Sequence, residues 1–108
     1  MSTPEIDLAR HDARVTADER YSTALDNQTD DLIDMIRAGD GVMNCNRDEA
    51  ISRIDEQELA RLVTELALAE TPAEIEAKAG ALRRVVYDEI SGMCREYARR
   101  EMDRREAA

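Results

Sequence analysis

The side chains that most often carry out chemistry in proteins are few and scattered in this sequence of 108 residues. His11 is the only histidine, and Cys45 and Cys94 are the only cysteines. A zinc site needs at least three such ligands close together, so none is predicted. Asp7 and His11 share a helix face, which is more typical of a surface pair than of a metal site. Because no cysteine or serine stands in a nucleophile motif either, we expect no catalytic residue, no metal and no cofactor.

Carboxylates are abundant, and two of their patterns resemble magnesium or calcium sites. The stretch that starts at Asp26 has the oxygen ligands of an EF-hand loop, but Asp31 and Arg37 stand where that loop requires Gly and Glu. Asp31 and Asp34 have the spacing of one carboxylate pair of the all-helical pyrophosphohydrolases, but the preceding glutamate pair is absent. A magnesium-dependent all-α nucleotide pyrophosphohydrolase is therefore only a second alternative, and the further carboxylates available to it are Asp48, Glu70 and Glu74.

One group of aspartates is unusual enough to suggest a binding surface. Like charges four residues apart destabilise a helix by a few tenths of a kcal/mol per pair, and Asp forms helices less readily than Glu. A face made of Glu and Lys would give solubility at a smaller cost. We therefore predict a functional anionic surface, with a plain solvated face as the alternative. We call it the acidic ridge, and its residues are Asp26, Asp30, Asp31, Asp34 and Asp40.

The net charge of -10 restricts the possible partners and is unevenly distributed. Residues 1–58 hold 15 acids and 6 bases, a net charge of -9, whereas residues 59–108 hold 10 acids and 9 bases, a net charge of -1. A negative field repels nucleic acid and anionic membranes, so we expect neither as a direct partner. Three tyrosines, with no Phe or Trp, also make a poor platform for stacking bases. The charge favours a partner protein with a basic surface.

The first functional hypothesis is a non-enzymatic binding or inhibitor protein that presents the acidic ridge to a basic site. In its extreme form the chain would mimic nucleic acid, as do small acidic phage-encoded blockers of restriction or CRISPR complexes. Short length, high negative charge and the absence of a catalytic motif fit that analogy. Lys78 is the only lysine among 15 basic residues, which suggests a GC-rich bacterial or phage genome through codon usage.

The apolar pattern predicts an all-α fold, a small up-down bundle of three to four helices in a single domain over residues 1–108. Gly39 is placed as a C-terminal cap, and Asn46, Asp55 and Thr71 as N-terminal caps. Residues 1–23 are polar, which predicts a solvated arm or one that becomes ordered on a partner. Gly80 and Gly92 interrupt the last helix, and we interpret at least one of them as marking a tight helix crossing.

The last helix also carries a regular aliphatic stripe, which supports the alternative function, a structural or adaptor bundle that self-associates. Its near-heptad spacing is typical of a helix-pair seam, so a homodimer could complete the bundle. The residues predicted for self-association are Ile75, Leu82, Val86, Ile90, Met93 and Tyr97.

The two cysteines and the N-terminal residues bear on the compartment. The sequence shows neither the basic nor the apolar region of a secretion signal, and two cysteines without C-x-x-C spacing fit free thiols in a reducing environment. We therefore expect a cytoplasmic protein in which a disulfide between Cys45 and Cys94 is not supported.

Overall fold

Four helices make up the chain in the computed structural model, which describes residues 2–107 and the side chains of residues 17–106. Within these limits no strand is present, and Val42 and Cys45 form one isolated bridge. The predicted all-α fold is confirmed. The helices are α1 (Ser2–Arg37), α2 (Arg47–Ser52), α3 (Glu56–Ala67) and α4 (Pro72–Ala107).

The end of α1 is formed by the predicted glycine cap. Gly39 adopts a left-handed φ of 90°, which a residue without Cβ tolerates. The Gly39 amide donates to the carbonyl of Ile36 at 3.0 Å, and the Asp40 amide donates to the carbonyl of Met35 at 2.8 Å. These two bonds are those of a Schellman motif, which satisfies carbonyls that the helix end would leave unpaired. The chain thereby turns sharply away from α1.

The starts of the other helices are also fixed by side chains at the predicted positions. Asn46 accepts a hydrogen bond from the Glu49 amide at 2.9 Å, which caps α2. Asp55 accepts from the amide of residue 57 at 3.3 Å and caps α3, so the predicted cap at Asp55 is confirmed. Thr71 accepts from the Glu74 amide at 3.2 Å and caps α4. Because these bonds are local, the sequence alone could place them.

The other three helices all pack against helix α4. Its C-terminal half lies antiparallel to α1, since the Tyr21 hydroxyl is 3.4 Å from Asp103 while Asp26 further along α1 reaches back to Arg95. The buried core lies where α1, the following loop and α4 meet. Its members are Leu25, Leu32, Ile33, Cys45, Ala50, Met93, Cys94 and Ala98.

The N-terminal half of α4 packs instead against α3, through Leu62 and the ion pair of Glu65 with Lys78 at 3.5 Å. Short α2 lies beside the middle of α4, where Arg53 just after it reaches Glu96 at 3.3 Å. The two halves of α4 therefore have different partners. The result is an open bundle with principal extents of 70 × 35 × 23 Å. Its radius of gyration is 20.4 Å, against about 13 Å for a compact domain of this length.

The interpretation of the α4 glycines was wrong. A Cβ added at Gly80 or Gly92 would meet no atom within 4 Å outside its own helix, so neither glycine permits a close helix approach within the chain. The sequence could not distinguish an open position from a crossing. None of the helices in the described range combines the length and the apolar character that crossing a membrane would need.

Part of the predicted arm at residues 1–23 and the Asp7–His11 pair have side chains that lie outside the described residues. Residues 17–23 are described, and all of them are helical and exposed.

Candidate binding surface

The acidic ridge follows one side of the packed face of α1. Leu25, Thr29 and Ile33 point into the core, with 3%, 5% and 8% of their surfaces exposed. Asp26, Asp30 and Asp34 each follow one of these residues, so the helix turns them about 100° away from the core. Asp31 and Asp40 are exposed as well. The buried neighbours hold the four helical ridge carboxylates on a regular backbone.

Two of the ridge carboxylates already have cationic partners. Asp26 accepts from Arg95 of α4 at 2.8 Å, and Asp34 accepts from Arg37 at 2.6 Å. The side chains of these pairs are 45% to 71% exposed, so each pair contributes about 0–1 kcal/mol of stability. The pairing of Asp26 with Arg95 is not visible in the sequence, because the two residues are 69 positions apart.

Asp30 and Asp31 form the central part of the ridge and are both exposed. Among the side chains of residues 17–106, none of the ion pairs involves either of them. From Asp26 to Asp34 the helix rises about 12 Å and carries four carboxylates, or roughly one every 4 Å. A strand of DNA carries one phosphate about every 3.4 Å along its axis, which is a comparable spacing of anionic groups, although Arg95 and Arg37 offset two of the four carboxylates here.

The ridge ends at a polar depression formed by the loop after α1. Asp40 lines it together with Asp48, and the Arg47 guanidinium lies 3.6 Å from the Asp48 carboxylate. Asn46 shapes the floor, because its side-chain amide donates to the Val42 carbonyl at 3.0 Å. The depression has a volume of about 340 Å³ and extends the anionic surface beyond the helix.

The six residues predicted for self-association do not form one free surface. Met93 is 2% exposed, and Ile90 and Tyr97 pack partly buried against the core shared with α1. Nearer the start of α4, Leu82 and Val86 are half-buried and Ile75 is 44% exposed. The accessible part of the stripe is therefore its first half, on the α3–α4 hairpin.

The carboxylates considered for a magnesium hydrolase are distributed over separate elements. Asp31 and Asp34 lie on α1, Asp48 in the first turn of α2, and Glu70 and Glu74 at the turn into α4. Within the part of the chain that the structure describes, no three His, Cys, Asp or Glu side chains lie close enough together to hold a metal ion.

The two cysteines form a contact that sequence reasoning did not predict. Cys45 and Cys94 are both fully buried, and their sulfur atoms lie 3.7 Å apart. Burial, together with the hydrogen-bond contact to Cys45, raises the pKa of Cys94 to about 12. Burial also raises the pKa of Cys45, against the opposing effects of the Cys94 contact and the Arg53 charge. No sequence signal marks this pair, because one cysteine follows a turn and the other lies in a helix.

Comparisons with models of known protein families, with curated proteins and with solved structures find no match for this chain.

Proposed function

We propose that this chain is a non-enzymatic binding protein that presents the acidic ridge to a basic site on another protein. The observation that carries the proposal is the central pair of exposed carboxylates, Asp30 and Asp31, which have no ion-pair partner among the described side chains. Asp30 lies four residues from both Asp26 and Asp34, and like charges at that spacing oppose helix formation slightly. A basic partner would reverse that cost by supplying the missing cations.

The partner class that fits best is a protein whose basic groove binds nucleic acid. The carboxylates of the ridge are spaced along the helix nearly as closely as the phosphates of one nucleic-acid strand, and four of them lie on α1 rather than on a flexible tail. The ion pairs at Asp26 and Asp34 are exposed enough to exchange their arginines for those of a partner. Such a chain would act as an inhibitor that occupies the groove in place of the nucleic acid, as a phage-type blocker does.

The test is capture of partners from the native host with the full chain as bait, followed by elution in a salt gradient. The double variant Asp30→Asn/Asp31→Asn removes the two central charges. The matched control Glu76→Gln/Asp88→Asn removes two exposed charges from α4, at positions without ion pairs among the described side chains. Both variants change the net charge equally, so only the position of the charges differs.

We expect the ridge variant to bind its partner about tenfold more weakly than the control, which corresponds to about 1.4 kcal/mol for two charged contacts. Binding should weaken with salt because the Debye length shortens. Oligonucleotide should compete with the chain for the same partner. The proposal would be contradicted if binding were unaffected by salt and if both double variants reduced it equally.

A second candidate, a structural or adaptor protein that self-associates, is favoured by the α3–α4 hairpin. In the part of the chain that the structure describes, this end is formed by α3 and the first half of α4, and Val63, Leu68 and Ile75 are 48%, 73% and 44% exposed there. Pairing two hairpins would make a four-helix bundle and bury these side chains. Light scattering after size exclusion should then show a dimer that Val63→Gln/Ile75→Gln converts to a monomer. A wild-type monomer at micromolar concentration would refute this candidate.

A further inference from the structure

The contact between Cys45 and Cys94 joins two distant parts of the fold at its centre. The sulfur atoms are 3.7 Å apart, and neither residue is exposed. A disulfide bond needs them about 2.05 Å apart, so the two sulfur atoms must approach each other by roughly 1.7 Å. No other thiol competes, since these are the only two cysteines in the chain.

The backbone around Cys45 presents its side chain firmly toward α4. Val42 and Cys45 exchange backbone hydrogen bonds of 3.1 and 3.0 Å, and Asn44 between them has a left-handed φ of 69°. Asn46, directly after the cysteine, caps α2 and also bonds back to Val42. Cys94 stands on the middle of α4, so its position is set by a regular helix.

We infer that Cys45 and Cys94 are a reversible modification site, a dithiol that a low-molecular-weight disulfide oxidises to an intrachain disulfide fastening the segment 38–46 to α4. Neither cysteine belongs to the acidic ridge, although segment 38–46 also carries Asp40, the last residue of the ridge. The modification site does not rest on the proposed function. A disulfide between these two cysteines is not predicted from the sequence.

Access to the buried pair comes from the Cys45 side. Helix α2 has only six residues, too few to be stable without tertiary packing, so it and segment 38–46 can open at a smaller cost than the whole fold. Opening exposes Cys45, whereas Cys94 stays on α4, against which the other helices pack. In the closed fold burial raises the pKa of Cys45, against the opposing charge of Arg53, so opening removes the burial and favours the reactive thiolate.

The reaction proceeds as two thiol–disulfide exchanges with glutathione disulfide. In the first, the Cys45 thiolate attacks one glutathione sulfur and the other glutathione leaves as a thiolate that takes up the proton lost by Cys45. In the second, Cys94 loses its proton and attacks the Cys45 sulfur, which releases the second glutathione as a thiol. Two electrons and two protons pass from the protein to one glutathione disulfide, and two glutathione thiols result.

The test equilibrates the full chain in glutathione buffers of increasing disulfide content and then blocks free thiols with a maleimide. We expect a monomeric chain lighter by two hydrogen atoms, without maleimide, and a proteolytic fragment that links Cys45 to Cys94. The melting temperature of the oxidised chain should rise by about 10–20 °C, because the disulfide closes a long loop in the unfolded chain. Dithiothreitol should restore both thiols.

The variant Cys94→Ala separates the two exchanges, with its helical content checked by circular dichroism. It should stop with one glutathione on Cys45. An unreacted Cys45 in the folded variant would overturn the step that starts there. For the wild-type chain, two thiols that remain alkylatable in oxidising buffer, a stable mixed disulfide, or a disulfide between chains would each overturn the inference.

Discussion

Replacing the two glycines inside α4 with alanine should stabilise the protein. Glycine in a helix interior costs about 1 kcal/mol of stability relative to alanine, mainly because glycine gives the unfolded chain more backbone freedom, which is lost on folding. At Gly80 and Gly92 no steric clash offsets the stabilisation that alanine brings, since an added Cβ meets no atom within 4 Å outside the helix. The positions lie about 18 Å apart along α4, so their effects should add to about 2 kcal/mol.

The assay is guanidinium unfolding followed by circular dichroism, with each variant compared at one protein concentration. The midpoint should rise with each substitution while the slope stays unchanged. Gly41→Ala is the control of opposite sign. Its added Cβ would lie 2.8 Å from the Asn46 Cβ and 3.1 Å from the Cys45 carbonyl oxygen, so we expect a loss of about 1–3 kcal/mol.

A loss of stability in Gly80→Ala or Gly92→Ala would refute the reasoning, because it would mean that another backbone approaches α4 at that position. Repeating the measurement at a tenfold higher protein concentration identifies the source. A loss that grows with concentration would place the glycine in a seam between two copies of the chain. A loss independent of concentration would show that packing within the chain is tighter than the structure has it.

Three further outcomes follow from the core, the loop and the thiols. Leu32→Ala should cost about 2–5 kcal/mol in the free energy of unfolding, whereas Leu68→Ala, at a residue 73% exposed, should change it by less than about 0.5 kcal/mol. Asn46→Ala removes the α2 cap and a bond to the loop, which should cost about 2 kcal/mol in the same assay. The reduced protein should lose stability as pH rises from 9.0 toward about 12, because folded Cys94 keeps a proton that the unfolded chain releases. Cys94→Ala should flatten that decline in urea unfolding measured across this pH range, and an equally steep decline would assign it to other groups.

The sequence was sufficient where structure depends on neighbours along the chain. Gly39, Asn46, Asp55 and Thr71 act through hydrogen bonds that span two to five residues, and their types at those positions predict caps directly. The apolar pattern likewise predicted the all-α fold.

Pairing between distant elements could not be predicted in the same way. Nothing near Asp26 indicates Arg95, and nothing near Cys45 indicates Cys94, because both contacts depend on how α1 and the loop dock on α4. The α4 stripe shows which residues are apolar but not which helix covers them. Met93 is covered by the chain's own core, whereas Ile75 remains 44% exposed.

The elongated shape of the bundle has a consequence for its thermodynamics. The chain exposes 8230 Å² of surface, roughly a third more than the 6,000 Å² or so of a compact monomer of 108 residues. Unfolding therefore uncovers about a fifth less new surface, and the heat capacity of unfolding should be smaller by a similar fraction. The stability curve of the free chain is correspondingly flat. A partner that covers the open ends of the bundle would bury additional surface. In calorimetry, unfolding of the complex should then show a larger heat-capacity change, and a more strongly curved stability curve, than unfolding of the free chain.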